Sequence, residues 1–143
     1  MSDDLSAADY RELADFRYQI RKFLHFSEEA ARVEGLEPQQ HQMMLAIKAL
    51  DEAGEPTIGR LAEHLFIRHH SAVGLIDRLE ERRLVARERA SDGDRRQVCV
   101  RLTRAGEVKL RRLSSMHRAE LLTSDPGLVK SLQALLERKN GHS

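Results

Sequence analysis

Cysteine is nearly absent from this chain. A single residue, Cys99, stands in 143, so no disulfide can close within it, which fits a reducing compartment. Tryptophan is missing and aromatic residues make up only 4%, leaving a core to be built from aliphatic side chains. No run approaches the roughly 18 apolar residues that span a bilayer. The opening MSDDLSAADYRELADF is charged and lacks the apolar stretch of a secretory signal. The expectation is a soluble, cytoplasmic protein. Also missing are the nucleophile elbow, the phosphate loop, the zinc-protease helix and the glycine-rich dinucleotide turn. No enzymatic activity and no cofactor is therefore predicted.

Length suits one compact domain, and its charge is unevenly spread. The net charge is only +1. Yet Pro56 to Arg104 carries 11 arginines against 7 acids, a local excess of +4, while the rest of the chain sums to −3. A basic centre on an acidic body points to a directed anionic partner rather than a generally adhesive protein.

Hydrophobic spacing divides the chain into helices and one hairpin. Leu13, Phe16, Ile20, Phe23, Leu24 and Ala31 recur at helical period between Ala8 and Val33, and Gly35 ends that helix. Pro38 opens a second, carrying Met43, Met44, Ile47 and Leu50, which stops near Gly54. Thr57 is the predicted N-cap of a short helix with Ile58, Leu61, Ala62 and Leu65 inward. After a tight connection at Ile67 and Arg68, the helix over 69–82 turns Ala72, Leu75, Ile76 and Leu79 inward at i, i+3, i+4 and i+7. Two short amphipathic helices joined by a tight turn outline a helix-turn-helix.

Beyond Arg83 the period becomes alternating. Val98, Val100 and Leu102 are expected on one face of a strand, with Cys99 and Arg101 on the other. Ser91-Asp92-Gly93-Asp94 is turn chemistry. Thr103 caps a further helix bearing Val108, Leu110, Leu113, Met116, Leu121 and Leu122, in which Gly106 counts as a mild weakness. Ser124-Asp125-Pro126-Gly127 interrupts it, and a last helix carries Leu128, Val129, Leu132, Leu135 and Leu136. The fold class is mainly α (α+β), a winged helix-turn-helix core with flanking helices at both ends. The predicted division is 55–103 for the winged DNA-binding region and 8–54 with 104–140 for a helical dimerisation region.

A major groove about 12 Å wide admits one α-helix. Opposite its apolar stripe the helix over 69–82 offers His69, His70, Ser71, Val73, Gly74, Asp77 and Arg78. Histidine and serine can bond bases or phosphates, Val73 can touch a thymine methyl, and Gly74 lets the helix sit deep. The hairpin adds Arg87, Arg89, Arg95, Arg96 and Arg101 with few compensating acids. An arginine at the tip, Arg95 or Arg96, suits a narrow minor groove, held there by Asp94 through a charge-assisted hydrogen bond. The bland alternatives are a solvated helix start and a solvated charged hairpin.

The segment RLAEHLFIRHHSAVGLIDRLEERRLVARERASDGDRRQVCVRLTRAG resembles the DNA-binding core of the MarR family of bacterial transcription regulators. The resemblance lies in LAEHL, in LIDRLEERRLV, in the wing DGDRRQV and in LTRAG, and the flanking helices match in number and order. It implies that Asp94 and Arg96 occupy the family's wing Asp-x-Arg positions, with Arg96 in the minor groove. Two positions depart from the pattern. Arg83 stands where the family usually has glycine, so it must bear the helix exit, in a strained conformation unless the helix ends differently. Arg68 stands where serine or threonine often caps the recognition helix, and it is free to reach a phosphate.

Apolar residues on both end helices favour an isologous homodimer, which the resemblance also implies, presenting two recognition helices to half-sites of a pseudo-palindrome. The resemblance further implies a small-molecule effector between the dimer helices and the winged domain, for which an anionic aromatic is the candidate, with Arg17, Arg21, His25 and His41 as its polar contacts; the other reading of these four is solvated or structural. It also implies a repressor that the effector releases. Metal binding is not predicted: His41 and His117 lack chelating spacing, and the adjacent His69 and His70 diverge by about 100° around a helix. Cys99 on a wing strand is expected to be an inert packing residue. The competing class is a winged-helix protein-interaction module without DNA readout.

Overall fold

A computed structural model describes residues 4–89, 98–123 and 127–140. Its elements are α1 (Ala7–Val33), α2 (Pro38–Ala53), α3 (Ile58–Leu65), α4 (His69–Glu81), β1 (Val85–Arg89), β2 (Val98–Leu102), α5 (Arg104–Thr123) and α6 (Gly127–Asn140). They group into two compact units, one formed by Ala30–Met116 and the other by 1–29 with 117–143. No helix among the described residues is long and apolar enough to cross a membrane.

The larger unit holds the aliphatic core. Met43, Met44 and Ile47 of α2, Leu61 of α3, Ala72, Ile76 and Leu79 of α4, Val100 of β2 and Leu113 of α5 are all fully buried. Each large apolar side chain taken out of water contributes about 1.5–3 kcal/mol, so helical spacing and burial coincide. α2, α3 and α4 pack on one another, and β1 and β2 pair antiparallel, with Val85 opposite Leu102 and Arg89 opposite Val98.

Three helix ends in this unit share one chemistry. At Gly35 (φ 77°), Phe66 (φ 55°) and Arg83 (φ 60°) the backbone enters the left-handed region. In each case the left-handed residue and its successor donate back into the last turn: Gly35 to Arg32 and Leu36 to Ala31, Phe66 to Glu63 and Ile67 to Ala62, Arg83 to Glu80 and Leu84 to Leu79, at 2.9–3.2 Å. This is the Schellman closure, which satisfies the orphaned carbonyls of a helix C-terminus. Only the first of the three uses glycine. Arg83 does bear the helix exit, as its position implied. Phe66 does the same and is 96% exposed.

Other ends are capped by side chains, at Thr57 and Thr103 as anticipated. Gln40 accepts from the Glu37 N–H at 3.0 Å at the start of α2, and Thr57 Oγ1 accepts from the Arg60 N–H at 3.3 Å. Thr103 Oγ1 accepts from the Gly106 N–H at 3.1 Å and donates to the Arg83 carbonyl at 2.7 Å. One side chain thus holds the start of α5 against the exit of α4.

One expectation needs correction. Gly106 is not a weakness: a Cβ built there would lie 2.1 Å from the Leu84 carbonyl oxygen, so only glycine permits the close approach of α5 to that strand entry. Cys99 and Val100, neighbours on β2, are both buried, which agrees with a packing role for Cys99. The segment before α3 pairs along β2, with Thr57 bridged to Cys99 and the Val100 N–H donating to the Pro56 carbonyl at 3.0 Å, and this closes the strand's free edge.

The smaller unit joins α1, the later part of α5 and α6. His117 Nε2 lies 2.7 Å from Ser27 Oγ, and the rings of Phe23 and Phe26 meet His117 edge-on at centroid distances of 6.1 and 5.5 Å. Much of its apolar surface is uncovered: Leu13, Leu24, Leu121, Leu122, Val129, Leu132 and Leu136 are exposed.

Candidate nucleic-acid interface

The candidate surface is built on α4. Its inner stripe, Ala72, Leu75, Ile76 and Leu79, is buried and fixes the rotation of the helix. The same rotation turns His69, His70, Ser71, Asp77 and Arg78 to the exposed side, with Val73 and Gly74 half-buried between them. Arg68 precedes the helix in extended backbone (φ −71°, ψ 153°), with no side-chain cap bond. Its carbonyl accepts the first helical bond, from Ala72 at 3.1 Å, and its side chain is exposed. Gly74 has room for a side chain, since a Cβ there would stand 3.6 Å from the Arg78 guanidinium at nearest. Its bareness is therefore not a demand of the packing.

Asp94, Arg95 and Arg96 lie outside the described residues. The remaining hairpin arginines divide. Arg89 is exposed at the end of β1. Arg87 Nη2 pairs with Asp77 Oδ1 and its Nη1 with Glu80 Oε1, each at 2.5 Å, while the Arg87 backbone N–H donates to Glu80 Oε2 at 3.2 Å. Burial works against the guanidinium's charge, but the hydrogen bond to Asp77 and the field of Glu80 prevail and hold its pKa above the ordinary value. Arg101 Nη1 pairs with Asp51 of α2, and its Nε donates to Glu88 Oε2 at 3.2 Å. The expectation of a hairpin with few compensating acids is thus corrected at Arg87 and Arg101. Three of their four partners come from α2 and α4, outside the hairpin.

Sequence reasoning missed these two clamps and the exposed Phe66. One signal was present: Asp77 and Glu80 are spaced i, i+3, on adjoining positions of one helix surface. Nothing local ties them to an arginine in the strand that follows.

The four candidate effector contacts fall in both units. Arg17, Arg21 and His25 are exposed on α1 in the smaller unit, while His41 of α2 is buried in the larger, at 4% exposure. Within the smaller unit His25 lines a cavity of about 390 Å³ with Lys22, Phe23, Phe26, Glu29 and Leu128 among its walls.

A family model described as the MarR family matches residues 34–97. No curated protein matches the sequence. Among solved structures the chain is similar to AbsC, a MarR family transcriptional regulator from Streptomyces coelicolor. Identity is 21% over 98% of this chain and 99% of that one, with a TM-score of 0.71. It is also similar to a mutant MarR from E. coli complexed with operator DNA, 21% identical over 82% and 85% of the two chains, with a TM-score of 0.64. A third likeness is to CouR from Rhodococcus jostii bound to p-coumaroyl-CoA, 21% identical over 85% of each chain, with a TM-score of 0.65. The fold is that of these winged-helix proteins, and residues 34–97, from just after α1 onward, match the model of the MarR family.

Proposed function

We propose that this protein is a sequence-specific, double-stranded DNA-binding transcription regulator, acting as a homodimer on a pseudo-palindromic operator. The observation that carries the reading is α4 itself. A buried inner stripe holds the helix while Arg68, His69, His70, Ser71 and Arg78 stand exposed on its other side. Val73 and Gly74 lie between them, in position for a thymine methyl and for close approach. Asp94, Arg95 and Arg96 of the wing would reach the adjacent minor groove, with Arg96 as the inserted residue. The operator-bound E. coli relative supports this docking.

The exposed leucines of α1, α5 and α6 support self-association, since a monomer would leave them in water. Two-fold symmetry then presents two recognition helices to half-sites about one helical turn apart. The p-coumaroyl-CoA complex of CouR supports an anionic aromatic effector, for which Arg17 and Arg21 supply cationic contacts, His25 a hydrogen bond, and Phe23 and Phe26 an apolar wall. We assign the protein as a repressor that such an effector releases.

Fluorescence anisotropy with duplex DNA at two salt concentrations tests the DNA reading. Each phosphate neutralised adds about 0.9 to the slope of log affinity against log salt. Several contacts per protomer should give a steep fall, and a flat response would contradict the assignment.

A further inference from the structure

Asp77 sits on the outward side of α4 with its side chain 55% exposed. A bare carboxylate there would repel the phosphates flanking a major groove. It is not bare: the Arg87 guanidinium bridges Asp77 and Glu80 at 2.5 Å each. We infer that Arg87 is a positioning and charge-masking residue for DNA binding, which acts by neutralising the acidic side of the recognition helix and touches no phosphate itself. The inference rests on the DNA-binding reading above.

The three side chains together carry −1. Without Arg87 they carry −2 on a surface that must approach a polyanion. At physiological salt, charges within about 8 Å are not yet screened. At that range in water each added like-charge pair weakens association about twofold. Three or four phosphates within reach make the loss about tenfold. The two acids are not equivalent. Glu80 also accepts the Arg87 backbone N–H at 3.2 Å, so it anchors β1 to α4. Asp77 meets only the guanidinium among the contacts described. Asp77→Asn therefore removes a charge and leaves the strand anchor in place.

This predicts a rescue that a phosphate contact would not allow. The probe is a fluorescein-labelled mixed-sequence DNA duplex, because the electrostatic part of binding is independent of sequence. Arg87→Gln should bind about tenfold more weakly than the wild type. Asp77→Asn combined with Arg87→Gln restores the net charge to −1 and should return to within about threefold. Asp77→Asn alone should bind more tightly than the wild type, with the same preferred site after selection from a random-duplex pool. Circular dichroism confirms that each variant is folded; if Arg87→Gln is not, Asp77→Asn alone decides, and equal or weaker binding overturns the inference. A double variant as weak as Arg87→Gln also overturns it, because Arg87 would then serve DNA in some other way. So does an altered site preference in Asp77→Asn, which would make Asp77 a base reader. A wild type that binds no duplex at all sinks the DNA-binding reading itself.

Discussion

Arg83 is the position where replacing an arginine by glycine should stabilise the protein. Its φ of 60° places a branched-off Cβ in the left-handed region, at a cost of about 1–2 kcal/mol for an L-residue. The conformation is imposed from both sides. The Arg83 N–H donates to Glu80 at 2.9 Å, the Leu84 N–H donates to Leu79 at 3.0 Å, and the Arg83 carbonyl accepts from Thr103 Oγ1 at 2.7 Å. Leu84 is itself buried at 5% exposure. All of these are backbone or neighbouring groups, so Arg83→Gly keeps every one. The arginine side chain is exposed and its removal uncovers no core. Against the relieved strain stands the greater backbone freedom that glycine loses on folding, about 0.5–1 kcal/mol. The net gain is about 0.5–1 kcal/mol, which for a chain of this length raises Tm by about 2–4 °C. Thermal unfolding followed by circular dichroism, at one fixed protein concentration because the Tm of the proposed homodimer would depend on it, reads the change. Arg83→Ala is the control: it removes the same side chain but keeps the Cβ, and should leave Tm near the wild-type value. If Arg83→Gly gains nothing, or Arg83→Ala gains as much, the helix exit is not strained and the argument fails.

Phe66→Gly follows the same reasoning, because Phe66 has φ 55° and is 96% exposed. It should raise Tm by about 2–4 °C, and a drop would mean that the ring makes contacts in the folded protein. Gly106→Ala should act in the opposite direction. Its Cβ would fall 2.1 Å from the Leu84 carbonyl oxygen, and the forced backbone shift should cost about 1–3 kcal/mol in chemical denaturation; an unchanged midpoint would show that α5 can move away freely. Thr103→Val removes two hydrogen bonds of one hydroxyl and should cost about 1–2 kcal/mol in the same assay, with wild-type stability refuting its role as a clamp.

The helices were legible because burial and period are the same fact seen twice. Ala72, Leu75, Ile76 and Leu79 are spaced to share one side of a helix, and that side is the one water cannot reach. Caps were legible for a related reason: Thr57 and Thr103 satisfy donors only a few residues away. Close approaches between distant segments were not. Gly106 looks like an ordinary helix interruption until the Leu84 carbonyl is placed beside it. Phe66 carries no mark of a left-handed residue, since the closure at a helix end is a backbone pattern that the side chain merely tolerates.

The charge of the hairpin was the hardest feature to read, and it alters how the proposed interface should work. Counting arginines treats each as available to a phosphate. Arg87 and Arg101 instead meet carboxylates from α4, from α2 and from the hairpin itself, partners that sequence distance conceals. Arg68, Arg78 and Arg89 have no ion pair among the described residues and stand exposed. In the proposed role the recognition helix is therefore graded along its length. Its N-terminal end offers Arg68, His69, His70 and Ser71, cationic or hydrogen-bonding groups beside backbone N–H donors that a helix start leaves unpaired. Further along, Asp77 and Glu80 are masked by Arg87 and neither attract nor read DNA. Substitution at His70 or Ser71 should consequently change which sequences are preferred, while substitution in the Asp77–Glu80–Arg87 cluster should change affinity for all duplexes alike. Selection from a random-duplex pool, run beside titration of a mixed-sequence duplex, separates the two effects; a shift in preference from the cluster, or a uniform loss from His70 and Ser71, would remove the gradient.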